Sequence, residues 1–169
     1  MKRLFLLGLA LSIFALPSRA QSSADASIGY SYFHLGGDAD LSQNGISGSV
    51  AYKPIPYLGI VGDFGGYHAS PGGVSFNTYT YMFGPRVILH NPTKFTPFVQ
   101  FLAGAGHLTV GDGGGSMTNF AYSVGGGVDV GILPHLALRP ELDYIGLHNA
   151  SAGGTANCTR VSVSAVVRF

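Results

Sequence analysis

Five groups of residues in this chain have types and spacings that suit chemistry. His68-Ala69-Ser70 places a base two residues from a hydroxyl nucleophile, the spacing of an activated serine, although no acidic residue is evidently placed to orient the imidazole. Glu141 and Asp143 stand two apart, as an acid and a base would, but share a face with Arg139, which favours ion pairing over proton transfer. His34, His68, His107 and His148 recur at intervals along the chain, and imidazole suits contact with lipid phosphates or a metal. Gly111 to Gly115 is glycine-rich but is followed by no lysine and no helix, so it is a loop rather than a phosphate cradle. Cys158 is the single cysteine, which excludes an intrachain disulfide, and Asn157-Cys158-Thr159 fits a glycosylation pattern by chance.

Whether any of these groups works depends on the elements that carry them. Lys2 and Arg3, the apolar run of 13 residues from Leu4 to Leu16, Pro17 and the small residues Ser18 and Ala20 have the layout of a secretory signal, with cleavage expected after Ala20. A membrane helix needs roughly 20 apolar residues, more than this run supplies. The expected organisation is a signal over residues 1–20 and one domain over 21–169.

Charged residues make up 10% of the chain and hydrophobic ones 46%, against about 25% charged in ordinary soluble domains. Without Lys2, Arg3 and Arg19, six basic residues face eight acidic ones, and no basic patch remains for nucleic acid.

Apolar residues alternate with small or polar ones in eight segments, the two-residue period of strands. In the fourth, Tyr79, Tyr81, Phe83 and Val87 oppose Thr78, Thr80 and Arg86; in the eighth, Val161, Val163, Val167 and Phe169 oppose Arg160, Ser162, Ser164 and Arg168. Compact Pro-bearing turns (53–56, 90–96 and 133–135) alternate with longer loops near Gly36, Gly72, Gly113 and Gly153. This pattern predicts an all-β fold, an eight-stranded antiparallel up-and-down transmembrane β-barrel with its turns toward the periplasm.

The charges agree with a membrane wall. Asp25, Asp38, Asp40, Lys53, Lys94 and Asp112 fall at strand ends, turns or loops. Asp63, Arg86, Asp129, Arg139, Glu141, Asp143, Arg160 and Arg168 all lie on the weakly apolar face. A lysine or arginine facing mid-bilayer costs about 2–4 kcal/mol, so a lipid-facing side should exclude them as this one does. A soluble lipocalin-like barrel would place its charges on the outside and needs more of them. Four positive and four negative groups are therefore expected to form a self-neutralised polar lumen, with Asp143 and Arg160 paired across the last hairpin. The four histidines fall in phase with the lipid-facing side, at outer strand ends.

Ala-Gly-Ala-Gly in the fifth strand, Val-Gly-Gly-Gly-Val-Asp in the sixth, Arg-Pro-Glu-Leu-Asp-Tyr at 139–144 and Val-Ser-Ala-Val-Val-Arg-Phe at the C-terminus resemble the OmpA-like outer-membrane β-barrel family. The resemblance implies location in a bacterial outer membrane and makes Phe169 the signal read by the barrel assembly machinery. Some relatives carry a peptidoglycan-binding domain after the barrel; this chain stops on its last strand, so anchoring by that route is not expected. Lipid A deacylases resemble this architecture and use a His-x-Ser pair, but late in the chain, where His68 and Ser70 are not.

The expected function is structural or surface interaction by a monomeric barrel with a filled polar lumen, surrounded by outer-membrane lipids. No catalytic residue, cofactor or metal is expected. The alternatives are a minor porin, then a lipid-modifying enzyme or a soluble binding barrel.

Overall fold

A computed structural model describes residues 24–36, 41–89, 93–111, 115–149 and 154–169. The expected signal over 1–20, Asp38, Asp40, Asp112 and the loop glycines Gly113 and Gly153 lie outside them.

The strands are β1 (Ala24–Leu35), β2 (Leu41–Ile55), β3 (Leu58–Ala69), β4 (Phe76–Ile88), β5 (Phe95–Val110), β6 (Gly115–Leu133), β7 (Leu136–Asn149) and β8 (Gly154–Arg168), with a short 3₁₀ turn at Pro71–Gly73. Each pairs antiparallel with the next, and β1 pairs with β8 to close the barrel. Closure matters physically because an open edge would leave backbone donors and acceptors unpaired in lipid. Phe169 forms the last rung: its N–H donates to the Ala24 carbonyl at 2.9 Å.

Two hairpins at the inner end are as tight as the sequence implies. Ile55 pairs with Leu58 around Pro56-Tyr57, and Leu133 with Leu136 around Pro134-His135, each beside a register irregularity. The strands run 12–19 residues, longer than the roughly 9–11 needed to span a bilayer. They extend past the alternating segments because glycine and polar residues continue the pairing where apolar contrast has faded.

Along the middle of the strands the outward face is apolar, with Phe83 69% exposed, Ile28 65% and Ile46 62%. Water would not tolerate so much contiguous apolar surface, whereas hydrocarbon would. The inward face carries every one of the eight predicted strand charges, all but Arg168 buried.

Two expectations are corrected. Asp25 stands at the start of β1 as expected but belongs with the interior charges, 1% exposed inside the barrel. The lumen is also not polar throughout. Its outer half holds an apolar cluster that includes Phe33, Leu35, Met82, Leu102 and Ile145, with Gln43 and Thr78 buried in register with Phe33 and Tyr67. From mid-strand outward both faces can be apolar, as in Phe101-Leu102-Ala103, so alternation there no longer distinguishes lumen from lipid.

Candidate functional site

The inner half of the lumen is built on three arginines. Alternation points Arg86 from β4, Arg139 from β7 and Arg160 from β8 into a barrel whose interior is only wide enough for side chains. Arg160 donates to Asp63 at 2.6 and 3.2 Å, to Asp143 at 3.0 and 2.8 Å, and to Glu141 at 3.2 Å. Asp143 and Arg160 are direct cross-strand partners. Arg139 donates to Asp129 at 2.6 and 2.9 Å and to Asp25 at 3.1 Å. Arg168 reaches Asp129 at 3.2 Å, and Lys53 reaches Asp25 at 2.8 Å. With Asp25 and Lys53 included, five cations face five carboxylates. The interior stays neutral.

Arg86 is held differently. Its nearest carboxylate, Asp25, is 3.9 Å away, while its Nε and Nη2 donate to Gln100 Oε1 at 3.0 and 2.8 Å. Gln100 passes the connection on, donating from Nε2 to Glu141 at 2.9 Å and to Asp143 at 3.1 Å. The Phe98 ring lies 4.3 Å from the Arg86 guanidinium and 5.0 Å from that of Arg139, a cation–π contact with each. Gln100 and Phe98 are thus part of the network although neither is charged, and only their inward phase in β5 could have flagged them.

The glycines opposite Asp143 and Glu141 have a steric reason. A Cβ on Gly125 would collide with Asp143 Oδ1, and one on Gly127 would come within 3.0 Å of the Phe98 ring. Side chains on that stretch of β6 would displace the network.

Above this layer Phe33 stacks on Tyr67, with ring centroids 4.6 Å apart, among Leu102, Ile145, Met82 and Ala121. Tyr67 joins the two layers, its hydroxyl accepting from Arg160 at 3.3 Å. At the outer mouth a cavity of about 330 Å³ lies between Leu35, Leu108, Met117 and Leu147.

A second set of residues lies on the outside. Each of the four outer hairpins carries one of the predicted histidines, directly opposite a small polar residue of the partner strand: His34 opposite Ser42, His68 opposite Asn77, His107 opposite Thr118 and His148 opposite Thr155. In every pair Nδ1 lies within hydrogen-bond distance of the partner oxygen, at 3.1, 2.8, 2.8 and 3.1 Å respectively. At His68, Ser70 Oγ is also 3.0 Å from Nε2. Asn77 therefore occupies the orienting position for which the sequence offers no acid. The same His–polar pair recurs in the three other hairpins, which makes Asn77 an instance of a hairpin motif. Among the described residues no group of His, Cys, Asp and Glu is arranged to hold a metal.

A closed eight-stranded barrel with an apolar outer wall and a neutral charged interior can be set against known proteins. The family model of the outer membrane protein beta-barrel domain matches residues 4–169. The chain belongs to that family. Its place is the bacterial outer membrane. Among solved structures, Neisserial surface protein A is 17% identical, with a TM-score of 0.73 over 88% of this chain and 98% of that one. Ail, the attachment invasion locus protein of Yersinia pestis, is 18% identical, with a TM-score of 0.61 over 86% and 97%. The N-terminal β-barrel domain of Pseudomonas aeruginosa OprF is 15% identical, with a TM-score of 0.56 over 86% and 98%. At these identities the likeness to each is one of fold. No curated protein matches the chain.

Proposed function

We propose that this outer-membrane barrel is a closed wall protein that acts through its outward-facing hairpins, in surface interaction rather than in transport or catalysis. The observation that carries this reading is the double seal of the lumen, an ion-pair layer below and an apolar layer above. Water and ions would have to displace Arg160 from three carboxylates and also part the Phe33–Tyr67 stack. Breaking a buried pair costs about 3–5 kcal/mol, so such openings are rare.

The outer mouth supports the same reading. It presents an apolar cavity, and β5 and β6 continue pairing for three rungs beyond His107, to Val110 and Gly115. Ail has been solved in complex with the heparin analogue sucrose octasulfate, an example of a barrel of this fold taking a ligand. In this reading the protein works as a monomer among outer-membrane lipids, placed there by the barrel assembly machinery, with Phe169 as the recognised residue.

Conductance across a planar bilayer tests the seal. A barrel shown to be folded by heat-dependent gel mobility should give no steady channels. Reproducible channels would overturn the closed reading and make small-solute passage the leading function.

A serine-directed fluorophosphonate tests the absence of hydrolytic chemistry. Ser70 should stay unlabelled, because its His68 is oriented by a neutral amide in a motif that three other hairpins share. Labelling at Ser70 that disappears in His68→Gln would overturn the non-catalytic reading.

A further inference from the structure

The four outer histidines stand at one level of the barrel, and this follows from the strand register. Starting at His34, its partner Ser42 is two residues before Asn44, which pairs with His68. Asn77, the partner of His68, is two residues before Tyr79, which pairs with His107. Thr118 is two before Phe120, which pairs with His148, and Thr155 is four before Thr159, which returns to His34. The steps of two, two, two and four residues make up the ten-residue stagger of the closed barrel. Strands in a barrel are tilted, so a circle perpendicular to its axis must shift along the strands as it goes round. Ten residues over eight strands is about two and a half for each two-strand step. Side chains on one face come only at even spacings, so steps of two, two, two and four lie close to a level circle.

That circle is chemically uniform. Each imidazole is outward in phase and uses Nδ1 on a hydroxyl or amide of its own hairpin. On the opposite side, across the neighbouring hairpin, the residues in register are Thr159, Asn44, Tyr79 and Phe120. Among the described residues no carboxylate stands in register with any of the four. Below it the outer wall is apolar, with Tyr30, Phe64, Phe101 and Leu142 each four to six residues inward along the strand from a histidine. The circle therefore marks the height at which hydrocarbon gives way to headgroups.

We propose that His34, His68, His107 and His148 form a belt that binds the phosphate groups of outer-leaflet lipids and fixes the barrel's height in the membrane. This deepens the membrane reading above and rests on it. An imidazole N–H left over from the hairpin contact can donate to a phosphate oxygen.

The test uses the full barrel in phosphatidylcholine vesicles doped with spin-labelled phosphatidic acid or spin-labelled phosphatidylcholine, read as the motionally restricted fraction. The wild type should prefer phosphatidic acid about two- to fivefold, the range of an exposed charge pair. Replacing all four histidines with Gln should bring that preference close to one, and the double variants H34Q/H68Q and H107Q/H148Q should each remove about half. Millimolar inorganic phosphate should leave the preference in place if the lipid is the ligand; its collapse would show a free-phosphate site and overturn the lipid assignment. An inserted barrel with no preference, or one whose preference survives in the fourfold variant, would overturn the belt alone. A barrel that fails to insert would overturn the membrane reading and the belt with it.

Discussion

Replacing Arg160 with Met should destabilise the folded barrel by about 3–5 kcal/mol, measured by urea unfolding in lipid vesicles. Arg160 is fully buried and is the shared partner of Asp63, Asp143 and Glu141, so the substitution leaves buried carboxylates without their cation. The cost is mainly that of the stranded charges rather than of the lost contacts. Adding Asp63→Asn and Asp143→Asn to Arg160→Met should therefore recover a large part of the loss, a coupling that a double-mutant cycle reads directly. A loss below about 1 kcal/mol for Arg160→Met would show that the lumen is wet and the seal is not one.

Replacing Phe83 with Arg should cost about 2–4 kcal/mol in the same assay, while Phe95→Arg should cost about 0–1. Both are exposed aromatic residues, at 69% and 55%, yet Phe83 sits in the middle of its strand and Phe95 at the inner end of β5. If the outer wall faces hydrocarbon, the penalty must depend on depth; if it faced water, both substitutions would be close to neutral. Equal small costs would remove the basis for the lipid-facing assignment of the whole apolar face.

These two substitutions probe the two faces that the sequence separates most clearly. Phe83 and Arg86 lie on opposite sides of one strand, and simple alternation assigns each to its side. The same rule fails at Leu102 and Ile145, where lumen and lipid both receive apolar groups. It also passes over Gln100, whose part in carrying Arg86 to Glu141 rests on a contact between strands β4, β5 and β7. Asp25 looks like a terminal surface charge until β8 closes against β1 and Arg139 is brought to it from 114 positions away.

By itself, then, the sequence determined the strand count, the antiparallel hairpin order and the side of the wall on which most residues lie, because a period of two is a local property that each strand carries alone. Only the tertiary structure decided which carboxylate meets which arginine, that an apolar layer caps the charged one, and that four histidines spread over more than a hundred residues stand at one height. Those facts depend on register and closure. Closing eight tilted strands with a ten-residue stagger sets the height and azimuth of every side chain together, and no single strand contains that information.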